Sequence, residues 1–364
     1  MTLTGLTIPF NGLKKQYNNL RSEILDVTDE VLRSGQLMNG NYTAEFENWL
    51  AKRNHTRYAV TCHSGTQALE IIARFYCQDI FDHQPTVVIP AMTYPATVNA
   101  FIQHNYFKIR IVDVDNAGLL NVNDLRVKHD DLVVLVGLYG AAVSDLSKNI
   151  TTLIIEDAAQ HWLADHCQRV GHAAAISFDP TKNLPNYGNG GAVVTDDPEL
   201  VDYARTWRSH GKPNHESWGS NSRMSEIDCA QMMVKTRHLD SWQTRRKTIA
   251  AHWIEIFTRA GIRCLINEQN FKTHAFQKFV IDIDNRNTIQ EKLIVRKIDA
   301  KIHYEKSLFE LPMLRSHYNS QQNYFLSNAA SLSRRVLSLP FYPELSDLEV
   351  EYIAEQVVKI YNKG

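Results

Sequence analysis

Apolar residues in the first half of the chain gather into short, nearly continuous runs at 58–62, 87–90, 109–114, 132–136, 153–155, 173–178 and 192–195. They lack polar alternation, as expected of strands covered by helices on both faces of a largely parallel sheet. Helix-compatible segments such as 67–77 and 94–104 lie between several of them. The result is the alternating pattern of an α/β layer fold with about seven central strands.

After Asp196 the pattern changes. Residues 225–251 predict one long amphipathic helix, with Ile227, Ala230, Met233, Val234 and Leu239 at mostly three- and four-residue spacing and Ser225, ahead of Asp228, as its N-cap. Beyond it, 263–265, 276–283 and 301–304 predict strands, and 347–361 a closing helix. This divides the chain into a large α/β domain, residues 1–240, and a smaller C-terminal α+β domain, residues 241–364.

A length of 364 residues suits one large domain with an appendage. Acidic and basic residues nearly cancel, 40 against 39, so no field draws in nucleic acid or an anionic membrane, and a small-molecule substrate or protein partner fits better. The five cysteines (Cys62, Cys77, Cys167, Cys229, Cys264) are odd in number and lack CxxC spacing. That argues against a disulfide framework or structural zinc and for reduced thiols in a cytoplasm. The N-terminal segment shows no targeting pattern, and the longest apolar run, 132–143, is too short for a membrane span.

Ligands of open α/β sheets collect beyond the carboxyl ends of strands, so the residues following each run carry the chemistry. His63-Ser64-Gly65-Thr66-Gln67 pairs an S-x-x-Q capping pattern with a glycine and a hydroxyl. It reads as an ordinary helix cap or as a phosphate cradle of free backbone N–H groups. Asp157 closes the run 153–155; a carboxylate there needs a cationic or donor partner, a protonated pyridine nitrogen among the choices, or else caps the turn at Ala158-Ala159. Lys182 follows Ser177-Phe178-Asp179-Pro180-Thr181 and precedes Gly188-Asn189-Gly190-Gly191. It is a surface charge or, if desolvated, an imine-forming amine. Tyr94 offers a ring for core packing or for stacking on a flat heterocycle. An acid for a pyridine nitrogen, an amine for an aldehyde, a phosphate cradle and a stacking ring are together what pyridoxal 5'-phosphate (PLP) requires. A nucleotide-binding oxidoreductase would instead need a GxGxxG turn after the first strand, which the segment at Ser64 does not supply.

These motifs, with Ile155-Glu156-Asp157-Ala158-Ala159-Gln160, Thr181-Lys182-Asn183, Gly190-Gly191-Ala192-Val193-Val194-Thr195, His210-Gly211, Asn221-Ser222-Arg223-Met224, His303-Tyr304 and Leu337-Ser338-Leu339-Pro340, run collinearly along nearly the whole chain. The sequence thereby resembles the DegT/DnrJ/EryC1/StrS sugar aminotransferases, a branch of the fold-type-I PLP enzymes. The resemblance implies that Lys182 carries the cofactor, that Asp157 partners its ring nitrogen and that Gln160 bonds near its phenolic oxygen. It implies further that Gly65, Thr66 and Ser177 hold the phosphate, that Tyr94 stacks on the ring, and that Asn221 reaches the phosphate of a neighbouring subunit in a homodimer with shared sites. Substrate contacts fall to Tyr187, Asn189, Arg223 and His303; the glycine-rich loop often holds an acid in the family where this chain has Asn189.

The implied activity is transfer of an amino group, from glutamate by resemblance, to a keto group of a nucleotide-linked deoxy-sugar, with pyridoxamine 5'-phosphate as the intermediate form of the cofactor. Such amino-sugars serve surface polysaccharides and glycoconjugates. The form Lys182-Asn183-Leu184 resembles members acting at the 3-position. Two alternatives are a catalytically silent PLP-binding regulator, against which intact Lys182 and Asp157 speak, and a sugar dehydratase, in whose branch histidine replaces the lysine.

Overall fold

The computed structural model describes residues 7–79, 84–102, 108–121, 125–142, 152–164, 171–317 and 327–363. Cys167, the end of the apolar run at Val143 and the part of the expected helix 94–104 beyond Ile102 lie outside the described residues. Each of the seven apolar runs is a strand: β1 (Tyr58–Cys62), β2 (Thr86–Pro90), β3 (Lys108–Val112), β4 (Asp131–Val136), β5 (Leu153–Asp157), β6 (Ala173–Ser177) and β7 (Gly191–Thr195). They form one sheet in the order β1-β7-β6-β5-β4-β2-β3. Its pairings are parallel from β3 to β6, while β7 runs antiparallel to both β6 and β1.

The missing polar alternation has a direct cause in packing. Along β7, Val193 joins a core built with α3 (Gly65–Asp79), α4 (Pro95–Ile102) and α5 (Pro198–Trp207), whereas Ala192 and Val194 face a second core with Phe46 and Leu50. Those two residues belong to α2 (Asn41–Arg53), which follows α1 (Leu13–Ser34). Both faces of the sheet are therefore dry, and both sets of alternate residues must be apolar.

The C-terminal part holds α6 (Glu226–Thr236), α7 (Leu239–Arg259), β8 (Arg263–Cys264), β9 (Phe279–Asp282), α8 (Arg286–Val295), α9 (Ser327–Arg335), β10 (Val336–Leu339) and α10 (Asp347–Tyr361). A three-stranded antiparallel sheet, β10-β9-β8, packs with α7, α8 and α10 into a further core around Trp253, Phe257 and Phe279. Ile8 belongs to that core as well, its N–H donating to the Lys297 carbonyl at 2.8 Å. A boundary near residue 240 falls in the first turn of α7, where Leu239 packs with the large sheet and Ile249 with the small one.

Three expectations are corrected. The helix over 225–251 is two helices: the N–H groups of Arg237 and His238 bond to Val234 and Lys235, three residues back, and this tightened turn ends α6 before α7 begins. The Ser225 cap is present, its hydroxyl accepting from Asp228 N at 3.1 Å. The strand over 276–283 starts at Phe279, because Phe276 sits at φ +53°, in the left-handed region, with its N–H tied to His274 Nδ1 at 2.8 Å. Residues 301–304 form no strand: one bridge, Lys301 to Ser338, precedes a bend that carries His303 and Tyr304 into the cavity described below. Among the described residues no helix is long and apolar enough to cross a membrane.

Candidate active site

A cavity of about 350 Å³ opens at the carboxyl ends of the central strands. It brings together Gly65, Thr66, Tyr94, Asp157, Gln160, Ser177, Lys182, Asn189 and His303 from the sequence-predicted set. Most arrive there because they end a strand or lie in the segment just after one; Asn189 instead leads into β7, and the bend after Lys301 delivers His303.

The cradle follows from close backbone approach. A Cβ on Gly191 at the start of β7 would lie 2.3 Å from the Ser64 carbonyl carbon, and one on Gly65 would lie 2.7 Å from Ser177 Cβ. Glycine at both positions lets the start of α3 settle beside Ser177, leaving the N-terminal N–H groups of a long helix facing the cavity. Only half of the capping box forms. Ser64 Oγ accepts from Gln67 N at 3.2 Å, while the Gln67 side chain turns away to Glu70 at 2.5 Å.

Asp157, 7 % exposed, caps the turn that follows it and has a further donor partner. Oδ1 accepts from Ala159 N at 3.2 Å, the turn cap, and Oδ2 accepts from the Thr97 hydroxyl at 2.7 Å. Thr97 Oγ1 in turn lies 2.8 Å from Thr93 Oγ1, so the two hydroxyls relay toward the carboxylate. Gln160 is fixed by Tyr139 N, which donates to Oε1 at 2.8 Å, and its Nε2 donates to the Tyr304 hydroxyl at 3.3 Å. The Tyr139 hydroxyl donates to the His303 carbonyl.

Lys182 ends a turn held from several sides. Its N–H donates to Asp179 O at 2.9 Å, Asp179 Oδ1 accepts from Thr181 N at 2.9 Å, and Gln277 Nε2 donates to Thr181 O at 2.9 Å. Burial lowers the pKa of the Lys182 amine, with Asp157 and Asp179 opposing. Desolvation favours the neutral amine, which is the form a nucleophilic lysine needs. His303 is pushed down to about 2 by burial and by the charges of Lys278, Lys182 and Lys301, so its imidazole is neutral; Nδ1 lies 2.9 Å from Ser338 Oγ. Tyr94 is 56 % exposed at the mouth, its ring centroid 5.7 Å from that of Tyr304.

Three sequence-predicted residues do not line this cavity: Tyr187, Asn221 and Arg223. The Tyr187 ring covers the Lys235 ammonium, with Nζ 3.4 Å from its centroid. Asn221 forms a bridge with Ser209, and its Oδ1 accepts from Arg223 Nη2 at 2.9 Å on the exposed surface. Sequence reasoning missed Thr97, Tyr139, Lys278 and Tyr304. The signal for Lys278 was a lysine inside the otherwise largely apolar run 276–283.

The profile of the DegT/DnrJ/EryC1/StrS aminotransferase family matches residues 18–358. A pleiotropic regulatory protein of Geobacillus stearothermophilus is 30 % identical, covering 98 % of this chain and 99 % of its own. The dTDP-3-amino-3,4,6-trideoxy-alpha-D-glucose transaminase of Streptomyces venezuelae is 31 % identical over 93 % and 92 % of the two chains. Among solved structures, S. venezuelae DesV in complex with a ketimine intermediate superposes with a TM-score of 0.88 at 29 % identity, covering 98 % of each chain. With the strand-end lysine and carboxylate in one cavity and the family profile spanning almost the full length, the chain belongs to the DegT/DnrJ/EryC1/StrS aminotransferase family and is an aminotransferase.

Proposed function

We propose that this chain is a PLP-dependent aminotransferase that moves an amino group from an amino acid, glutamate by family resemblance, to the keto group of a nucleotide-linked deoxy-sugar. The observation that carries the reading is a single cavity that joins Lys182, Asp157 and the Ser64–Thr66 cradle. The residues fit the cofactor: the absence of a Cβ at Gly65 lets the start of α3 come up against Ser177 with its N–H groups toward the cavity, and the buried Asp157 accepts from two neutral donors, Thr97 and Ala159.

Gly65, Thr66 and Ser177 would hold the phosphate, Asp157 the proton on a ring nitrogen, Tyr94 a ring face and Lys182 the aldehyde end. When bound, PLP supplies an aldehyde carbon that exchanges amino groups and a pyridinium ring that takes up an electron pair. The Thr97 hydroxyl orients Asp157 toward the cavity. Lys182 Nζ, lowered in pKa by burial, takes the proton from the substrate carbon and returns it as general acid. Gln160, clamped between Tyr139 and Tyr304, presents an amide hydrogen-bond donor to the same space. The S. venezuelae relative is a dTDP-3-amino-3,4,6-trideoxy-alpha-D-glucose transaminase, and the Lys182-Asn183-Leu184 form agrees with amination at the 3-position. The working form is a homodimer in which Asn221 serves the partner's site.

Borohydride reduction of the yellow holoenzyme followed by peptide mapping tests the assignment. The cofactor should be fixed on the peptide containing Lys182, and labelling of another lysine would overturn it.

A further inference from the structure

Lys278 immediately precedes β9, and its own N–H donates to Tyr139 O at 3.1 Å while the neighbouring Gln277 is bonded to Thr181 O. These bonds hold the residue against the Lys182 turn. The side chain is 6 % exposed, and it lines both the Lys182 cavity and an adjoining pocket beside Phe10, Arg246 and Glu344. Among the described residues its ammonium has no hydrogen-bond or ion-pair partner. Its Nζ lies 5.5 Å from the centroid of the Phe10 ring.

An ammonium taken out of water without an anion is costly and is therefore kept for a reason. Burial first, then the charges of Lys182 and Arg246, bring it down to about 7, with Asp179 opposing. An incoming anion would restore its full charge. The neighbouring His303 is neutral, so this wall offers one cation and a polar ring, which balances a single negative charge. The helix end at Ser64–Thr66 is formed by other residues and is already suited to a phosphate.

We propose that Lys278 is a specificity-determining residue that binds a carboxylate of a substrate held in the Lys182 cavity. The proposal rests on the aminotransferase reading and deepens it. The carboxylate belongs either to the amino-acid donor or to an acidic sugar.

Calorimetric titration of holoenzyme with glutarate, UDP-glucuronate and UDP-glucose separates the sources without requiring turnover. Lys278→Met, of similar length, and Lys278→Gln, which keeps a donor without the charge, should both weaken one carboxylate probe by about tenfold or more, as expected when a charge-assisted bond is removed. UDP-glucose binding should stay within about twofold of wild type. Lys278→Arg should restore most of the lost affinity. Selective loss of glutarate assigns the donor's carboxylate, and selective loss of UDP-glucuronate that of the sugar.

Wild-type affinity for both carboxylates retained in the Met and Gln variants, or no binding of either carboxylate by wild type, overturns the proposal. Bleaching of the cofactor's absorbance by amino acids tests the aminotransferase reading separately. If no amino acid bleaches wild type, that reading fails while the titrations still decide the role of Lys278.

Discussion

Asp157 is the residue at which two structural demands meet, because one carboxylate both caps the turn after β5 and faces the cavity. Replacing it with asparagine keeps the size and one acceptor oxygen but removes the charge that would hold a ring nitrogen protonated. Asp157→Asn should therefore retain cofactor while slowing the glutamate half-reaction by about a hundredfold or more, followed by stopped-flow absorbance. Thr97→Val removes only the hydroxyl that orients the carboxylate and should cost about tenfold, the worth of one hydrogen bond to a charged group. Equal effects of the two substitutions would show that orientation, not charge, is what Asp157 provides. Asp157, Lys182, Ser177 and the Gly65 cradle were legible from sequence because each adjoins the end of an apolar run. Thr97 was hidden inside a helix, Tyr139 meets Gln160 across 21 residues from the turn after β4, and Lys278 and Tyr304 are brought in by tertiary packing that spans more than a hundred residues of chain. Local pattern carries no record of that approach.

At the scale of elements, the start of α2 shows how one helix completes another. Its N-cap is Gly40, which has no side chain to offer, and the carboxylate of Glu226 in the first turn of α6 takes that role. Oε2 accepts from Gly40 N at 2.7 Å, from Thr43 N at 3.2 Å and from Thr43 Oγ1 at 2.5 Å, while Oε1 accepts from Tyr42 N at 2.6 Å. Glu226→Ala would leave those donors buried without an acceptor and should lower stability by about 3 kcal/mol, read as a drop in urea midpoint. Glu226→Gln should recover part of the loss, since its one remaining oxygen can still accept. A Glu226→Ala midpoint within error of wild type would mean that water reaches α2's first turn. Nothing in the local sequence announces this cap, since the partners are 183 to 186 residues apart. The strands were readable because a sheet covered on both faces makes most of their positions apolar, least so in β3, where Lys108 is exposed. The division between α6 and α7 was not, because no glycine or proline marks it and the apolar spacing continues through the turn.

For the whole molecule, the open question is what meets the surface around Asn221. The residue lies outside the cavity of its own chain, and nearby Trp218 is 94 % exposed, an indole that a partner surface would cover favourably. Both facts fit the proposed homodimer with sites built from two chains, in which Asn221 completes the phosphate cradle of its neighbour. A Lys182→Ala chain and an Asn221→Ala chain, each impaired alone, would then form a heterodimer in which one site lacks both residues and the other has both. Since a C2 pair holds two equivalent sites, that heterodimer should show about half the wild-type activity per dimer. A large permanent interface exchanges slowly, so the chains are best co-expressed with different tags and the heterodimer isolated through both. Sedimentation should give a dimeric mass for every species. Should the folded heterodimer be no more active than its parents, Asn221 serves its own chain, and its bond to Arg223 is then a brace for the segment that leads into the Ser225 cap of α6.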